Sequence, residues 1–197
     1  MAKKRDYALA EKRGERRIAA PDLAYRPRDP KRYRPGIGLI GCGGISEYHL
    51  RAYKSAGYKV VALCSRTESK ARDRQRQFFP KAAVYTDYRE LLKRDDIAVV
   101  DVTTHPAERV GIITDALNAG KHVLSQKPFV TDLDVGERLV DLADRRGLKL
   151  AVNQNGRWAP HFSYIRAAIA RGLIGTPFAA HLAVHWDHNW IRGTPFE

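Results

Sequence analysis

Gly41-Cys42-Gly43-Gly44-Ile45-Ser46 follows the apolar run Ile37-Gly38-Leu39-Ile40, so glycines stand where a strand must turn sharply into a helix. Gly41 permits the tight turn, Gly43 lets backbone approach a ligand with no Cβ in the way, and the small Ser46 lets the helix pack closely on the strand. The first-turn N–H groups of a helix from Ile45 to Ala56 then face the turn with the positive end of the helix dipole behind them, a site suited to a pyrophosphate. About 20 residues further on, a site preferring NAD offers a carboxylate to the ribose hydroxyls. This chain offers Ser65-Arg66 there, with Thr67 and Lys70 close behind. A hydroxyl and two cations suit a 2′-phosphate better than a free hydroxyl, because a guanidinium can bond phosphate through two parallel N–H groups. NADP is therefore the first expectation and NAD the second. The plainer alternative is that Arg66 solvates a helix start or stacks on the adenine of NAD. Lys127-Pro128 follows the fifth apolar run, and a lysine there is, taken alone, an ordinary solvated side chain.

The elements that must position these residues alternate. Lys59 to Cys64 reads as a second strand, Thr67 to Phe79 as a polar helix, and Ala82 to Tyr85 as a short third strand. A brief helix, Tyr88 to Arg94, precedes the most apolar strand, Ile97 to Val102. Helix Ala107 to Ala119 with closing Gly120, strand His122 to Ser125, helix Leu133 to Arg146 with closing Gly147, and strand Leu148 to Val152 follow. Apolar strands joined by helices predict an α/β fold, a doubly wound parallel sheet of the Rossmann type. Such sheets bind ligands beyond the carboxyl ends of their strands. That singles out Cys42 to Ile45, Ser65-Arg66, Thr103-Thr104-His105-Pro106, Gln126 to Phe129 and Asn153 to Trp158.

Composition narrows the classes. The 197 residues suffice for one full domain and part of a second. Cys42 and Cys64 sit in apolar strand ends and read as small core residues of a reduced compartment, here taken as the cytoplasm, rather than as a disulfide framework. No apolar run reaches the roughly 20 residues a membrane span needs. Arg16-Arg17 is not followed by the apolar segment an export signal requires. The seven histidines form no H-E-x-x-H and join no C-x-x-C, so no metal site is expected, although His181, His185 and His188 cluster. The formal charge is +13, and residues 1–35 hold twelve Lys/Arg against five acids. With four prolines and little periodicity beyond a possible helix from Asp6 to Ile18, this arm is expected to be extended, solvated or hugging the domain. It lacks a nucleic-acid reading module, and a nucleic-acid partner is the weaker alternative.

Several of these segments together carry a resemblance. Gly38-Leu39-Ile40-Gly41-Cys42-Gly43-Gly44-Ile45, His49 in the first helix, Ala119-Gly120-Lys121-His122-Val123-Leu124 leading into Gln126-Lys127-Pro128, and Asn155-Gly156-Arg157-Trp158-Ala159-Pro160 resemble the glucose-fructose oxidoreductase/inositol dehydrogenase/MocA family over about residues 36 to 190. The resemblance implies a nicotinamide-dependent dehydrogenase of a sugar, cyclitol or related polyol, with a dinucleotide-binding domain first and an antiparallel-sheet domain after it. It places Lys127 between nicotinamide and substrate as the catalytic residue, where an ammonium can hydrogen-bond the reacting oxygen. Gly41, Cys42, Gly43, Gly44, Ile45, Ser65, Arg66, Thr103, Thr104, His105, Gln126, Lys127, Pro128 and Asn155 are its expected cofactor contacts. Arg157, Trp158 and His185 are candidate substrate contacts, or else hinge and sheet-face residues. The resemblance also suggests a cis peptide before Pro128.

Two departures stand out. Gln126 replaces the usual glutamate of Glu-Lys-Pro, and Arg109 stands where the family has a histidine after Thr-Pro-Asn, here Thr104-His105-Pro106. The expected organisation is a basic arm over 1–35, a Rossmann domain over 36–155, and over 156–197 the start of an α+β domain. That last part comprises a helix from His161 to Arg171 and a strand from Phe178 to Trp186 with His181, Ala183 and His185 on one face. A lone strand cannot satisfy its backbone, so the chain reads as an amino-terminal fragment whose parent associates through the remaining sheet. The family resemblance leaves two rival activities open: a redox-neutral glycoside cleavage using bound nicotinamide, and a catalytically silent or regulatory nucleotide-binding protein.

Overall fold

The computed structural model describes residues 19–193, apart from the side chain of Trp190. The possible helix over Asp6 to Ile18 lies outside the described residues. Two compact units are present, one built from residues 27–158 and one from 19–26 together with 159–193.

In the larger unit, β1 (Gly36–Ile40), β2 (Lys59–Cys64), β3 (Ala83–Tyr85), β4 (Val99–Val102), β5 (His122–Gln126) and β6 (Leu150–Asn153) form one sheet. Their order is β3-β2-β1-β4-β5-β6, and every neighbouring pair is parallel. The crossovers are α1 (Gly44–Ser55), α2 (Glu68–Phe78), α3 (Tyr88–Leu92), α4 (Pro106–Asn118) and α5 (Leu133–Arg145). This is the Rossmann arrangement expected from the alternation of apolar runs and helical patterns. The chain reverses direction across the sheet between β1 and β4, and that switch point opens a crevice at the carboxyl edge.

Period-two alternation explains the two cores. Along β2, Ala62 and Cys64 face one cluster with Leu91, Ile113, Ala116, Leu117 and Leu139, while Leu63 faces another with Leu50, Ala71 and Ala82; Val60 joins the second cluster because the register against β1 shifts between Val60 and Ala62. A sheet covered on both faces needs apolar residues at successive positions, which is why these strands read as unbroken runs. Asp87 and Asp132 cap α3 and α5 by accepting from the Arg89 and Val135 backbone N–H groups. Helices α1 and α4 have no side-chain cap, and both begin at the crevice.

In the smaller unit, α6 (Pro160–Ala170) is the regular helix. The Tyr164 hydroxyl donates to the Pro21 carbonyl at 2.7 Å, the Tyr25 and Tyr164 rings meet edge to face at 5.9 Å, and Leu23 is buried. Residues 19–35 contain no helix or strand. The strand expected from Phe178 to Trp186 is not formed, so the shared face proposed for His181, Ala183 and His185 does not exist. Alternating side chains cannot make a strand without a hydrogen-bonded ladder, and no partner strand lies beside them among the described residues. Phe178, Leu182, Val184 and Trp186 are exposed. Among the described residues, no helix is long and apolar enough to cross a membrane.

Candidate cofactor site

Gly41 takes φ +102°, and a Cβ there would stand 2.9 Å from the Thr103 carbonyl carbon and the Thr104 nitrogen. Only glycine fits this turn without displacing backbone. The turn is stitched on both sides. Gly41 N–H donates to the Cys64 carbonyl at 2.8 Å, and the Thr103 hydroxyl donates to the Gly41 carbonyl at 2.6 Å. Beyond it, a Cβ on Gly43 or Gly44 would meet nothing within 4 Å, so the face presented to the crevice is bare backbone. Ser46 is buried against this turn and donates to the Gly43 carbonyl at 2.5 Å.

From the turn a cavity of about 560 Å³ runs along the carboxyl edge, lined by Gly41, Cys42, Gly43, Ser65, Arg66, Thr67, Lys70, Thr103, Thr104 and His105. Eight of these were expected as cofactor contacts from their places in the sequence. Thr86, Arg89 and Glu108 also line it, and no local motif marks them as contacts. Arg66 pairs with Glu108 at 2.8 Å across the opening, but with side chains 84% and 40% exposed the pair is a weak one. Thr104 Oγ1 is buried with no hydrogen-bond partner among the described residues. An open glycine turn, an uncapped helix N-terminus, an orphan hydroxyl and three lining cations fit a phosphorylated dinucleotide. Cys42 and Cys64 are free thiols, both buried. Burial chiefly pushes them up to about 12 and about 11, and they act as packing groups here.

Gln126, Lys127 and Pro128 lie outside this cavity, at the end of β5. Lys127 is exposed, and the Lys127-Pro128 peptide is cis, as the resemblance suggested. The segment is held from below by Arg109, only 1% exposed. Its Nη1 donates to the Gln126 carbonyl at 2.5 Å and to the Pro128 carbonyl, and its Nη2 donates to the Thr104 carbonyl at 2.5 Å. One guanidinium therefore pins the backbone on both sides of Lys127. No carboxylate among the described residues pairs with it, and burial lowers its affinity for the proton, yet a guanidinium stays charged. Sequence reading marked Arg109 only as a departure, because the carbonyls it serves are 5 to 19 residues away.

A second hollow, of about 430 Å³, is lined by Ile45, Tyr48, His49, Tyr53, Gln126, Asn153 and Asn155 among others. His49 Nδ1 lies 2.7 Å from Asp101 Oδ2, and the Tyr53 hydroxyl donates to the same oxygen at 2.8 Å. Burial first, and then Asp101, raise the Tyr53 phenol far above its usual range, so it remains a donor. Gln126 Nε2 and Asn153 Nδ2 each approach His49 Nε2 at 3.1 Å. The signal that could have revealed this cluster is Asp101 itself, a carboxylate in an otherwise apolar buried strand.

The candidate substrate residues fall in different units. Arg157 and Trp158 sit in a 3₁₀ turn over Asn155–Trp158, the guanidinium 5.9 Å from the ring centroid, and Trp158 is half exposed. His185 belongs to the smaller unit, in a segment without regular structure, and lines neither cavity. Gly44 and Pro128 line neither cavity, whereas Ile45 and Asn155 line the second.

Known proteins share this arrangement. Residues 36–154 match the family described as "Oxidoreductase family, NAD-binding Rossmann fold" (GFO_IDH_MocA). The D-apiose dehydrogenase of Paraburkholderia graminis is 31% identical over 159 residues, which are 80% of this chain and 42% of that protein. The inositol 2-dehydrogenase of Burkholderia multivorans is 32% identical over 152 residues, 75% of this chain and 44% of its own length. The crystal structure of KijD10, a 3-ketoreductase from Actinomadura kijaniata in complex with NADP and TDP-benzene, superposes with a TM-score of 0.65 at 31% identity, covering 72% of this chain and 43% of that one. The chain thus spans less than half the length of these relatives. The glycine turn, the parallel sheet and the match over 36–154 together identify the chain as a member of the glucose-fructose oxidoreductase/inositol dehydrogenase/MocA family of oxidoreductases.

Proposed function

We propose that the chain is the cofactor-holding part of an NADP-preferring dehydrogenase acting on a sugar, cyclitol or related polyol, with Lys127 as the residue at the reacting oxygen. The observation that carries this reading is the single cavity joining the bare Gly41–Gly43 turn to Ser65, Arg66 and Lys70. The pyrophosphate is assigned to the turn and the first N–H groups of α1, and the 2′-phosphate to Arg66 and Lys70. Arg66 exchanges Glu108 for phosphate, and because that pair is exposed the exchange costs little. The KijD10 complex with NADP and the dehydrogenase relatives support the cofactor and substrate classes assigned here.

A bound nicotinamide supplies the acceptor or donor of hydride at the substrate carbon. The chain's own contribution is to hold Lys127 on a pinned segment, so that its ammonium can hydrogen-bond the alcohol oxygen and stabilise charge developing there. Gly41, Cys42, Gly43, Gly44, Ile45, Thr103, Thr104, His105, Gln126, Pro128 and Asn155 remain the proposed cofactor contacts. Arg157, Trp158 and His185 remain proposed substrate contacts. The buried free thiols suit a cytoplasmic setting, and self-association of the whole protein is part of the proposal.

Calorimetry with NADP, NAD and 2′-phospho-ADP-ribose tests the cofactor assignment, and a polyol screen on the whole protein tests the reaction. Lys127→Met should keep NADP binding and lower turnover by at least about a hundredfold. Near-normal turnover in that variant would remove Lys127 from the chemistry, and binding of neither dinucleotide would sink the reading altogether.

A further inference from the structure

The floor of the second hollow fixes the placement of a proton. The Lys127 backbone N–H donates to Gln126 Oε1 at 2.7 Å, which settles how the Gln126 amide is turned. Its oxygen faces Lys127, so its NH₂ group, a donor only, faces His49 Nε2. An N–H on that ring nitrogen would place two donors head to head. His49 Nε2 must therefore accept, and the ring proton sits on Nδ1, where it donates to Asp101 Oδ2.

An imidazolium would offset the charge of the fully buried Asp101, whose Oδ1 has no partner among the described residues, and Coulomb attraction alone would favour it. Two amide nitrogens converging on Nε2 oppose it. The Gln126 amide is tied to the Lys127 peptide and cannot turn to relieve the conflict without breaking the 2.7 Å bond.

We infer that His49 is a positioning residue, held as the neutral Nδ1–H imidazole between Asp101 and the Gln126 and Asn153 amides, and that through Gln126 it fixes the backbone of Lys127. Gln126 and the neutral ring are a matched donor and acceptor. The role in cofactor geometry rests on the reading of Lys127 proposed above. The tautomer does not.

Nitrogen-15 NMR of the unmutated chain at neutral pH should show His49 with a protonated Nδ1 and an unprotonated Nε2. Gln126→Glu should convert it to a ring protonated at both nitrogens, because a carboxylate then faces Nε2. Function is read as the affinity for NADPH divided by that for 2′-phospho-ADP-ribose, a ratio that isolates the nicotinamide half. His49→Leu should lower this ratio about tenfold, the scale of one lost buried hydrogen bond. His49→Gln, whose amide oxygen can accept from Gln126 where Nε2 did, should recover most of it. An Nε2–H tautomer or an imidazolium in the unmutated protein overturns the inference, and so does a His49→Gln ratio no better than that of His49→Leu. If His49→Leu does not fold, the tautomer measurement still decides. If neither ligand binds, the cofactor reading fails while the NMR result stands by itself.

Discussion

The carboxyl edge of the sheet has two sides built on opposite plans. On the β1–β2 side the proposed recognising groups are bare backbone at Gly43 and side chains reaching into solvent, with Arg66 84% exposed. On the β4–β5 side the groups that matter to Lys127 are buried polar side chains, Arg109, Asp101 and His49, between 0% and 7% exposed. An exposed cation adds affinity when a ligand arrives and little stability without one. A buried polar group is part of the fold, because leaving its partners unpaired costs the full desolvation of each. The two sides should therefore respond differently to substitution: the first through binding, the second through stability and geometry.

The most severe test of that contrast is Arg109→Met. Three carbonyls lose a donor, though the Gln126 carbonyl keeps the Ser125 hydroxyl, and the chain should be destabilised by about 3 kcal/mol. Thermal melting should register this as a fall in Tm of about 10 °C. A melt matching that of the unmutated chain would mean the β4–β5 side is no more structural than the other. Gly41→Ala belongs to both plans, since the new Cβ would meet Thr103 and Thr104 backbone at 2.9 Å and the residue would keep a positive φ. A loss of about 2 kcal/mol in stability, together with loss of dinucleotide binding by calorimetry, is expected.

Arg66→Ala sharpens the comparison from the exposed side. NADP affinity should weaken by about 1–3 kcal/mol with NAD affinity unchanged. The melting curve should hardly move. Equal affinities for the two dinucleotides before mutation would remove Arg66 from phosphate recognition. The smallest effect is expected for Glu108→Gln, which frees Arg66 from its exposed partner. NADP should then bind more tightly by less than about 1 kcal/mol, and weaker binding would show that Glu108 orients the guanidinium instead of competing for it.

The same division decides what could be read from the sequence. The glycine turn is legible because its residues are contiguous and its constraint is local: Gly41 is needed by its own φ. Strands β1, β2 and β5 are legible because residues buried on both faces leave apolar runs, and their observed bounds differ from the expected ones by at most one residue. The strand-end rule singled out Gln126 to Phe129, but a role for Lys127 in the chemistry was reached only through the family resemblance, since a lysine before proline has no chemistry of its own. His49 and Asp101 stand 52 residues apart, and His49 and Gln126 stand 77 apart. No spacing rule joins them until the sheet order sets β1, β4 and β5 side by side. The strand expected over Phe178 to Trp186 failed for a related reason: alternation is a property of one segment, whereas a strand is a relation between two.

Cys42 lies in the phosphate turn and Cys64 at the end of β2, with the Cys42 thiol 3.6 Å from the Cys64 carbonyl. Thiols held at about 12 and about 11 by burial offer almost no thiolate to an electrophile at neutral pH. The cradle meant for a redox cofactor is thereby kept inert toward peroxides and disulfides while it is closed. Both cysteines line the cavity but are only 4% and 3% exposed, so an opening of the sheet's carboxyl edge speeds their alkylation. Where reclosing outpaces alkylation, the labelling rate divided by that of a free thiol gives the population of that open state, and a dinucleotide that seats on the closed turn slows the reaction in proportion to its occupancy. The chain carries its own clock for the breathing of its cofactor cradle.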